Sequence, residues 1–538
     1  MVLPLAKRAM LLLKQATYIH PNKDILFEEL DFLVQDQEKV ALIGQNGIGK
    51  SSLLKILAGQ ITLNKGDYLA NSTPYYIPQL HESIPNQTVA DVLGLSKKLQ
   101  ALDAILAGEL DPTWYDLLND DWTIEERSMQ AFQYWQLEDI RLKDSFHKLS
   151  GGQKTKVFLA GIQIFDPDII LMDEPSNHLD QEGRELLYQW VASTSKSIVL
   201  VSHDRNLLNL FPHVAAMSAK GITHFGGNYD FYEEQKTIQR NALDQQLQAS
   251  QKELRKAKEK ERESLERQQK LNARGKGKQE KSGLSRIMMN TLKNNAENSS
   301  AKLKGIHQEK ILGIQQQVQD LRNNALHLDQ MQFDFKRSHL AIGKVILEGK
   351  DIQYQIRAKN LWRNALNFQI KQGSRWEIAG RNGSGKTTLI KLLLQQVQAS
   401  SGSLFSREFS SLYIDQDYSI IQSKLSIYEM AQSFNDAGLA EHEIKIRLNR
   451  FLFPRDTWNK PCEVLSGGER MRLLLCSMSI AQQAPDLIIL DEPSNNIDIQ
   501  NMDILTNALN QFEGTIVLVS HDAYFKNTLG ISETLLLQ

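Results

Sequence analysis

The sequence predicts an α/β chain in which one module occurs twice, the two copies joined by a long α-helical hairpin. Three observations predict this. The same ordered motifs recur 336 positions apart, at Lys50 and Lys386. Each copy sets a glycine-rich loop between an apolar strand and a helical pattern. Between the copies the chain turns polar, strongly charged and poor in aromatic residues. A chain of 538 residues is also too long for one hydrophobic core, since a domain takes roughly 100 to 200 residues.

The loops come first. Gly44-Gln45-Asn46-Gly47-Ile48-Gly49-Lys50-Ser51 follows the apolar run Val40 to Ile43, and Gly380-Arg381-Asn382-Gly383-Ser384-Gly385-Lys386-Thr387 follows Trp376 to Ala379. Glycines let the backbone wrap closely, so that its amides and the start of the next helix can cradle phosphate oxygens beside the lysine charge. The candidate nucleotide-binding residues here are Gly44, Asn46, Gly47, Gly49, Lys50, Ser51 and Ser52, with Gly380, Asn382, Gly383, Gly385, Lys386, Thr387 and Thr388 in the second copy. Ser51 and Thr387 are placed to ligate magnesium.

Downstream, two apolar strands end in acid pairs, Asp173-Glu174 and Asp491-Glu492. The first acid of each pair is expected to organise magnesium, and the second to polarise an attacking water. Each pair follows a Leu-Ser-Gly-Gly run by a similar distance, 23 residues from Ser150 to Asp173 and 25 from Ser466 to Asp491. A repeated spacing of this kind is not expected of acids that merely face solvent.

Composition narrows the setting. Hydrophobic residues make up 41% and charged residues 23%, with a net charge of -2, as in ordinary globular protein. No run approaches the roughly 20 apolar residues that cross a bilayer. Lys7 and Arg8 precede only Ala9 to Leu13 before Lys14, shorter than a secretory leader's core. Two cysteines, Cys462 and Cys476, are too few for a disulfide framework and match a reducing, cytoplasmic setting.

With Leu149-Ser150-Gly151-Gly152-Gln153 and Leu465-Ser466-Gly467-Gly468-Glu469, the sequence resembles the ATP-binding-cassette (ABC) superfamily. The resemblance implies two P-loop ABC ATPase domains in tandem, using ATP and Mg2+. Tyr18 and Tyr354, each 32 residues before its loop lysine, are similar to the aromatic that this family stacks on adenine. Gln79 and Gln416 resemble its magnesium-sensing glutamines. His203 and His521, each in Ser-His-Asp and 29 residues beyond Glu174 or Glu492, resemble its switch histidines. The implied catalytic set is Glu174, Glu492, His203 and His521, and the implied metal set is Ser51, Gln79, Asp173, Thr387, Gln416 and Asp491.

In this superfamily the signature of one domain completes the site opened by the loop of the other. The resemblance therefore implies two composite sites inside one monomer. Site one would join Gly44 to Ser51, Asp173, Glu174 and His203 with Ser466, Gly467, Gly468 and Glu469. Site two would join Gly380 to Thr387, Asp491, Glu492 and His521 with Ser150, Gly151, Gly152 and Gln153. Both sites carry the residues for hydrolysis, and the departure of Ser494-Asn495-Asn496-Ile497-Asp498 from Ser176-Asn177-His178-Leu179-Asp180 leaves open whether they hydrolyse equally.

The middle segment carries 13 Lys or Arg against 6 Glu between Gln251 and Asn290. Ile311, Ile314, Val318, Leu321, Ala325 and Leu328 alternate by three and four, the seam of a coiled coil, and Leu243, Leu247, Leu254 and Ala257 supply a matching one. Gly275, Gly277 and Gly283 are expected to end the first helix. The expected division is 1–235 for the first cassette, 236–335 for the linker and 336–538 for the second cassette. The first cassette also holds about 20 extra residues, placed between Ser96 and Asp144, where Trp114, Tyr115 and Trp122 suit either an exposed arm or helix packing.

Two cassettes, no membrane segment and a basic hairpin resemble the ABC-F family, as does Gly226-Gly227-Asn228-Tyr229-Asp230-Phe231-Tyr232 at the hairpin's root. This implies a ribosome partner, with linker residues near rRNA and tRNA, and no obligate membrane partner. A translation factor and a protein that displaces ribosome-targeting antibiotics both remain open. The same ATP chemistry would also serve the energising subunit of a transporter or a DNA-binding ATPase; the first leaves the basic hairpin unexplained.

Overall fold

The computed structural model describes residues 9–20, 25–79, 87–218, 220–279, 305, 308–321, 340–357, 359–381, 383–494 and 497–537. Two compact units result, one from Met1–Asp230 with Met331–Gln538, the other from Phe231–Gln330.

In the first unit the α/β module occurs twice with one strand order. The first half has a sheet ordered Tyr75–Ile77, Ile169–Asp173, Ser197–Val201, Lys39–Ile43, His213–Ser218 and Gly221–Phe225, parallel except for the last pairing. The second half repeats it as Ser411–Ile414, Leu487–Asp491, Thr515–Val519, Arg375–Ala379 and Glu533–Leu536, all parallel. The strands Ile169–Asp173, Ser197–Val201, Leu487–Asp491 and Thr515–Val519 are buried at every residue. That explains why they read as continuous apolar runs: central parallel strands are covered on both faces. Each half adds a three-stranded antiparallel sheet, Ile25–Gln35 with Ala9–Ile19 and Lys65–Ala70 in the first, Leu366–Lys371 with Val345–Gln353 and Ser401–Ser406 in the second.

The helix after each glycine loop, Lys50–Leu57 or Lys386–Leu393, packs between these two sheets. Leu53, Leu54 and Leu57 share one core with Leu11 and Leu13 of the antiparallel sheet and Leu42, Leu171 and Val199 of the parallel one. Each such buried leucine contributes roughly 1.5 to 3 kcal/mol. The loop's position is thereby tied to the core of the half.

The expected insertion in the first half resolves into two helices. Val89–Val92 and Ile427–Gln432 are counterparts, each opened by a capping box, Thr88 with Asp91 and Ser426 with Glu429. Ile124–Tyr134 and Glu441–Arg450 are counterparts as well. Ser96–Leu106 and Pro112–Leu118, between them, have no equivalent in the second half. Tyr115 and Trp122 meet edge to face at 6.4 Å and stay 43% and 46% exposed, so they pack on one another without entering a core. Trp114 donates to Glu109 at the surface.

The second unit contains most of a helix spanning Tyr229–Gln279, 51 residues, about 75 Å at 1.5 Å per residue. It passes through Gly275 and Gly277 rather than ending there. Each glycine costs about 1 kcal/mol against alanine, and the good helix formers around them, Arg274, Lys276, Lys278 and Gln279, offset that. Gly283, Ala325 and Leu328 lie outside the described residues. Leu243, Leu247, Leu254 and Ala257 are half-buried at spacings of four, seven and three, and Ile311, Ile314 and Val318 are buried. Leu254, Arg255 and Lys258 line one groove with Leu312, Gln315 and Val318, so the two seams face each other. Among the described residues no helix is long and apolar enough to cross a membrane.

Candidate active site

Gly49 and Gly385 stand at the helix starts with φ of 105° and 90°, a left-handed conformation that turns the loop back over the helix N-terminus. A Cβ at either would come within 2.8 Å of Leu26 or 2.6 Å of Leu361. Lys50 Nζ donates to the carbonyls of Gly44 at 2.7 Å and Gln45 at 3.0 Å, and Lys386 Nζ to that of Gly380 at 2.9 Å. Both ammonium groups therefore lie inside the loop curl. Burial lowers the pKa of Lys50, against the charges of Glu174, Asp498 and Asp173. Asn382 lies outside the described residues.

The loop of the first half opens into a cavity of about 660 Å³ that both halves line. From the first half come Asn46, Gly47, Gly49, Lys50, Ser51, Ser52, Gln79, Asp173, Glu174 and His203; from the second come Gln416, Tyr418, Leu465, Gly467 and Arg470. A second cleft, about 190 Å³, joins Ser150, Gly151 and Gly152 of the first half to Gln416, Glu492 and His521 of the second. Gln416 borders both clefts. The loop residues Gly380, Gly383, Gly385, Thr387 and Thr388 and the acid Asp491 do not line this smaller cleft, although Lys386 Nζ approaches His521 Nε2 at 3.4 Å.

Contacts across the halves tie these clefts together. The amide of Asn46 donates to Asp498 Oδ2 at 3.2 Å, and Gln45 Nε2 to Gln500 Oε1 at 3.3 Å. At the equivalent place on the other side Arg381 pairs with Glu182 at 3.2 Å. Arg205 pairs with Asp503 at 2.5 Å and stacks 4.0 Å above the ring of Tyr524.

The acids sit at strand ends, deeply buried. Glu174 is held with φ of 51° and Glu492 with φ of 49°, strained for a residue with a side chain. Burial, reinforced by Asp173 and opposed by Lys50, pushes Glu174 up to about 8. Burial lifts Glu492 to about 7, against the pull of Arg184 and Lys386. The amide of His203 donates to Glu174 Oε2 at 3.2 Å, and His203 Nε2 lies 3.3 Å from Oε1 without hydrogen-bond geometry. His521 Nε2 lies 3.4 Å from Glu492 Oε1 in the same way. Burial, helped by Lys50 or Lys386, lowers both histidines to about 3, so both are neutral imidazoles.

Asp173 Oδ1 is buried without a hydrogen-bond partner, whereas Oδ2 accepts from Tyr76 at 3.3 Å. Asp173 also takes a hydrogen bond from Ser51. A free buried carboxylate oxygen beside a hydroxyl and Gln79 is an oxygen donor set that suits magnesium. Tyr413 donates in the same manner to Asp491 Oδ2 at 3.1 Å. Sequence reasoning missed this pair of tyrosines, yet the signal was present, since each stands three residues before its glutamine, Gln79 or Gln416. Tyr76→Phe or Tyr413→Phe is expected to leave a buried carboxylate oxygen unpaired and to cost about 1–3 kcal/mol, measured as a lower denaturation midpoint in the metal-free protein.

Three expected roles meet a different geometry. Tyr18 packs against Phe27 at 6.1 Å and the first core, while His20 lines the larger cavity. Tyr354 packs on the second core. Gln153 and Glu469 turn their side chains back to accept the amides of Ser150 and Ser466, closing capping boxes at the signature helices Gly151–Phe165 and Gly467–Ile480. Arg470 lines the larger cavity in their stead and donates to the carbonyl of Leu465 at 3.2 Å.

The family profile described as ABC transporter matches residues 27–177 and 363–495, just over half of the chain. ATP-binding protein Uup of Haemophilus influenzae is 28% identical over 523 residues, covering 93% of this chain and 74% of that protein. ABC transporter F family member 5 of Arabidopsis thaliana is 28% identical over 538 residues, covering 94% and 71%. Among solved structures, one titled RNase-L Inhibitor matches with a TM-score of 0.58 at 18% identity, over 97% of this chain and 87% of that one. An archaeal ribosome recycling factor, solved with a ribosomal stalk protein, matches with the same score and identity over 96% and 86%. At that identity the likeness is one of fold. The chain belongs to the ABC transporter family and is an ABC-F type member, an ATPase whose two cassettes bind and hydrolyse ATP.

Proposed function

We propose that ATP binding at two composite sites closes the halves, and that the closed protein binds the ribosome through its basic linker and acts on translation or on ribosome-targeting antibiotics. One observation carries the ribosomal part: a long helical unit, basic from Gln251 onward, interrupts a pair of cassettes in a chain without a membrane-crossing helix among the described residues. Lys and Arg on such a helix suit RNA phosphates, giving salt-sensitive binding directed by shape. The matched archaeal recycling factor acts on ribosomes by its title. In this reading residues 1–235 and 336–538 are the cassettes, 236–335 is the linker, and the protein works in the cytoplasm as a monomer.

At each site the loop amides and Lys50 or Lys386 hold the phosphates of the substrate. Ser51, Gln79 and Asp173, or Thr387, Gln416 and Asp491, would hold magnesium, which supplies charge neutralisation of the phosphates when bound. Glu174 or Glu492, its pKa raised by burial, accepts a proton from the attacking water as the water oxygen bonds to the γ-phosphorus and the bond to ADP breaks, and then passes that proton to the released phosphate. His203 or His521, neutral, lies 3.3–3.4 Å from its glutamate and orients the water by hydrogen bonding. At site one His20, which lines the cavity, would face the base.

Sedimentation tests the reading. The Glu174→Gln/Glu492→Gln protein with ATP is expected to pellet with ribosomes at moderate salt and to stay in the supernatant with ADP. Absence from ribosomes in both states would defeat it. Susceptibility of cells expressing the wild type then separates antibiotic displacement from a translation role.

A further inference from the structure

Arg184 is a buried cation in the first turn of the helix Gln181–Ser193, 9% exposed. Its Nε donates to the carbonyl of Leu179 at 3.3 Å, and its guanidinium pairs with Asp204 at 3.5 Å. The same Asp204 oxygen accepts from Tyr188 at 2.5 Å, which fixes the carboxylate. From this anchorage Arg184 reaches the smaller cleft, beside Gly151, Glu492 and His521. Its charge acts on Glu492, His521 and Asp522, all of the second half. It is the only Lys or Arg among the described residues lining that cleft.

The other half does not repeat it. Aligning the helix caps Asp180 and Asp498 places Met502 at the equivalent position, buried and apolar. Arg470, the cation that the second half gives to site one, belongs to the signature helix and is engaged by the carbonyls of Leu465, Asp417 and Glu463. A buried guanidinium is costly to desolvate and persists where carboxylates surround it. Here those carboxylates are Asp204, which pairs with it, and Glu492 and Asp522 of the second half, on which its charge acts.

We propose that Arg184 is a positioning residue for site two alone: anchored on the first half's Asp204, it holds the His521-Asp522 segment beside Glu492. It makes the pseudo-symmetric sites unequal and links hydrolysis at site two to the switch segment of site one. This rests on the reading of Glu174 and Glu492 as the groups that face the attacking water.

Acid-quench measurement of the first turnover at saturating ATP and magnesium tests it. Glu174→Gln leaves site two intact and Glu492→Gln leaves site one intact, so each is expected to form one ADP per chain. Adding Arg184→Met is expected to slow that turnover about tenfold in the Glu174→Gln protein, with the half-saturating ATP concentration nearly unchanged. The same change is expected to leave the rate in the Glu492→Gln protein within about twofold. Arg184→Lys, which keeps the charge, is expected to recover part of the loss. Should Arg184→Met fail to fold, Arg184→Gln keeps a donor toward Leu179 and is read in the same assay. Equal slowing in both backgrounds, or none in the Glu174→Gln protein, overturns the role of Arg184. Two ADP per chain in both single Gln variants overturns the assignment of the glutamates and takes this proposal with it.

Discussion

Replacing Glu174 and Glu492 together by Gln is expected to lower steady-state ATP turnover by a factor on the order of 100 to 10,000, the share that a positioned general base supplies. ATP affinity is expected to persist, because phosphate binding rests on the loop amides and on Lys50 and Lys386, which the change leaves in place. Gln keeps the volume and the oxygen that faces the amide of His203, so the strained backbone at φ of about 50° is retained. Each single variant removes one base and leaves the other cleft's glutamate, signature and histidine intact. Phosphate release with the double variant checks this directly, and turnover near wild type would show that another group takes the proton.

The nucleotide-free protein without metal is expected to lose stability as pH rises from about 6.5 to 8. Glu174 and Glu492 bind their protons more tightly in the fold, at about 8 and about 7, than at their usual 4.5. Where the fold holds more protons than the unfolded chain, stability falls with pH. These two groups therefore lower stability between 4.5 and their raised values. His203 and His521 work in the opposite sense: held neutral down to about 3, they raise stability as pH climbs toward 6.5. Between 4.5 and 6.5 the two pairs largely cancel. Above 6.5 the glutamates act without that opposition, and the loss is on the order of 2 kcal/mol. Urea midpoints in EDTA at pH 6.5, 7, 7.5 and 8 measure it, and the double Gln protein is expected to stay level over that range.

Much of the fold was legible because its key elements are local. A loop of Gly44 to Ser51 between a buried strand and a helix names its own conformation, and its repetition at Gly380 to Thr387 names the duplication. The acid pairs and histidines followed from strand ends. The cavity-lining place of His20 did not, and the cause lies in the first strand. Its pairing with Ile25–Gln35 shifts register between Leu13 and Ala16, between Ala16 and Tyr18, and between Tyr18 and Ile19. Bulges of this kind re-aim side chains, so counting back 32 residues from Lys50 reaches Tyr18 while His20 faces the cavity. The linker helix outlasted its glycines because the surrounding Lys, Arg and Gln favour helix. The role of Arg205 was illegible for another reason: its partner Asp503 stands in the opposite half, and Asn46 likewise meets Asp498, 452 positions away. No local pattern carries such a contact, whereas Tyr76 and Tyr413 left a repeated offset that a closer comparison of the halves would have caught.

Each ATP site is expected to be completed by the other half of the same chain. Gln45 beside the first loop and Gln500 beside Asp498 touch at 3.3 Å and offer a direct probe. The native thiols do not interfere, because Cys462 and Cys476 are buried and burial pushes both up, Cys462 to about 11. Gln45→Cys and Gln500→Cys are therefore introduced into the Glu174→Gln/Glu492→Gln protein and treated with a short bis-maleimide. A cross-link within one chain is expected, forming rapidly with ATP and slowly with ADP. A cross-link that ignores the nucleotide, or that joins two chains, would contradict it.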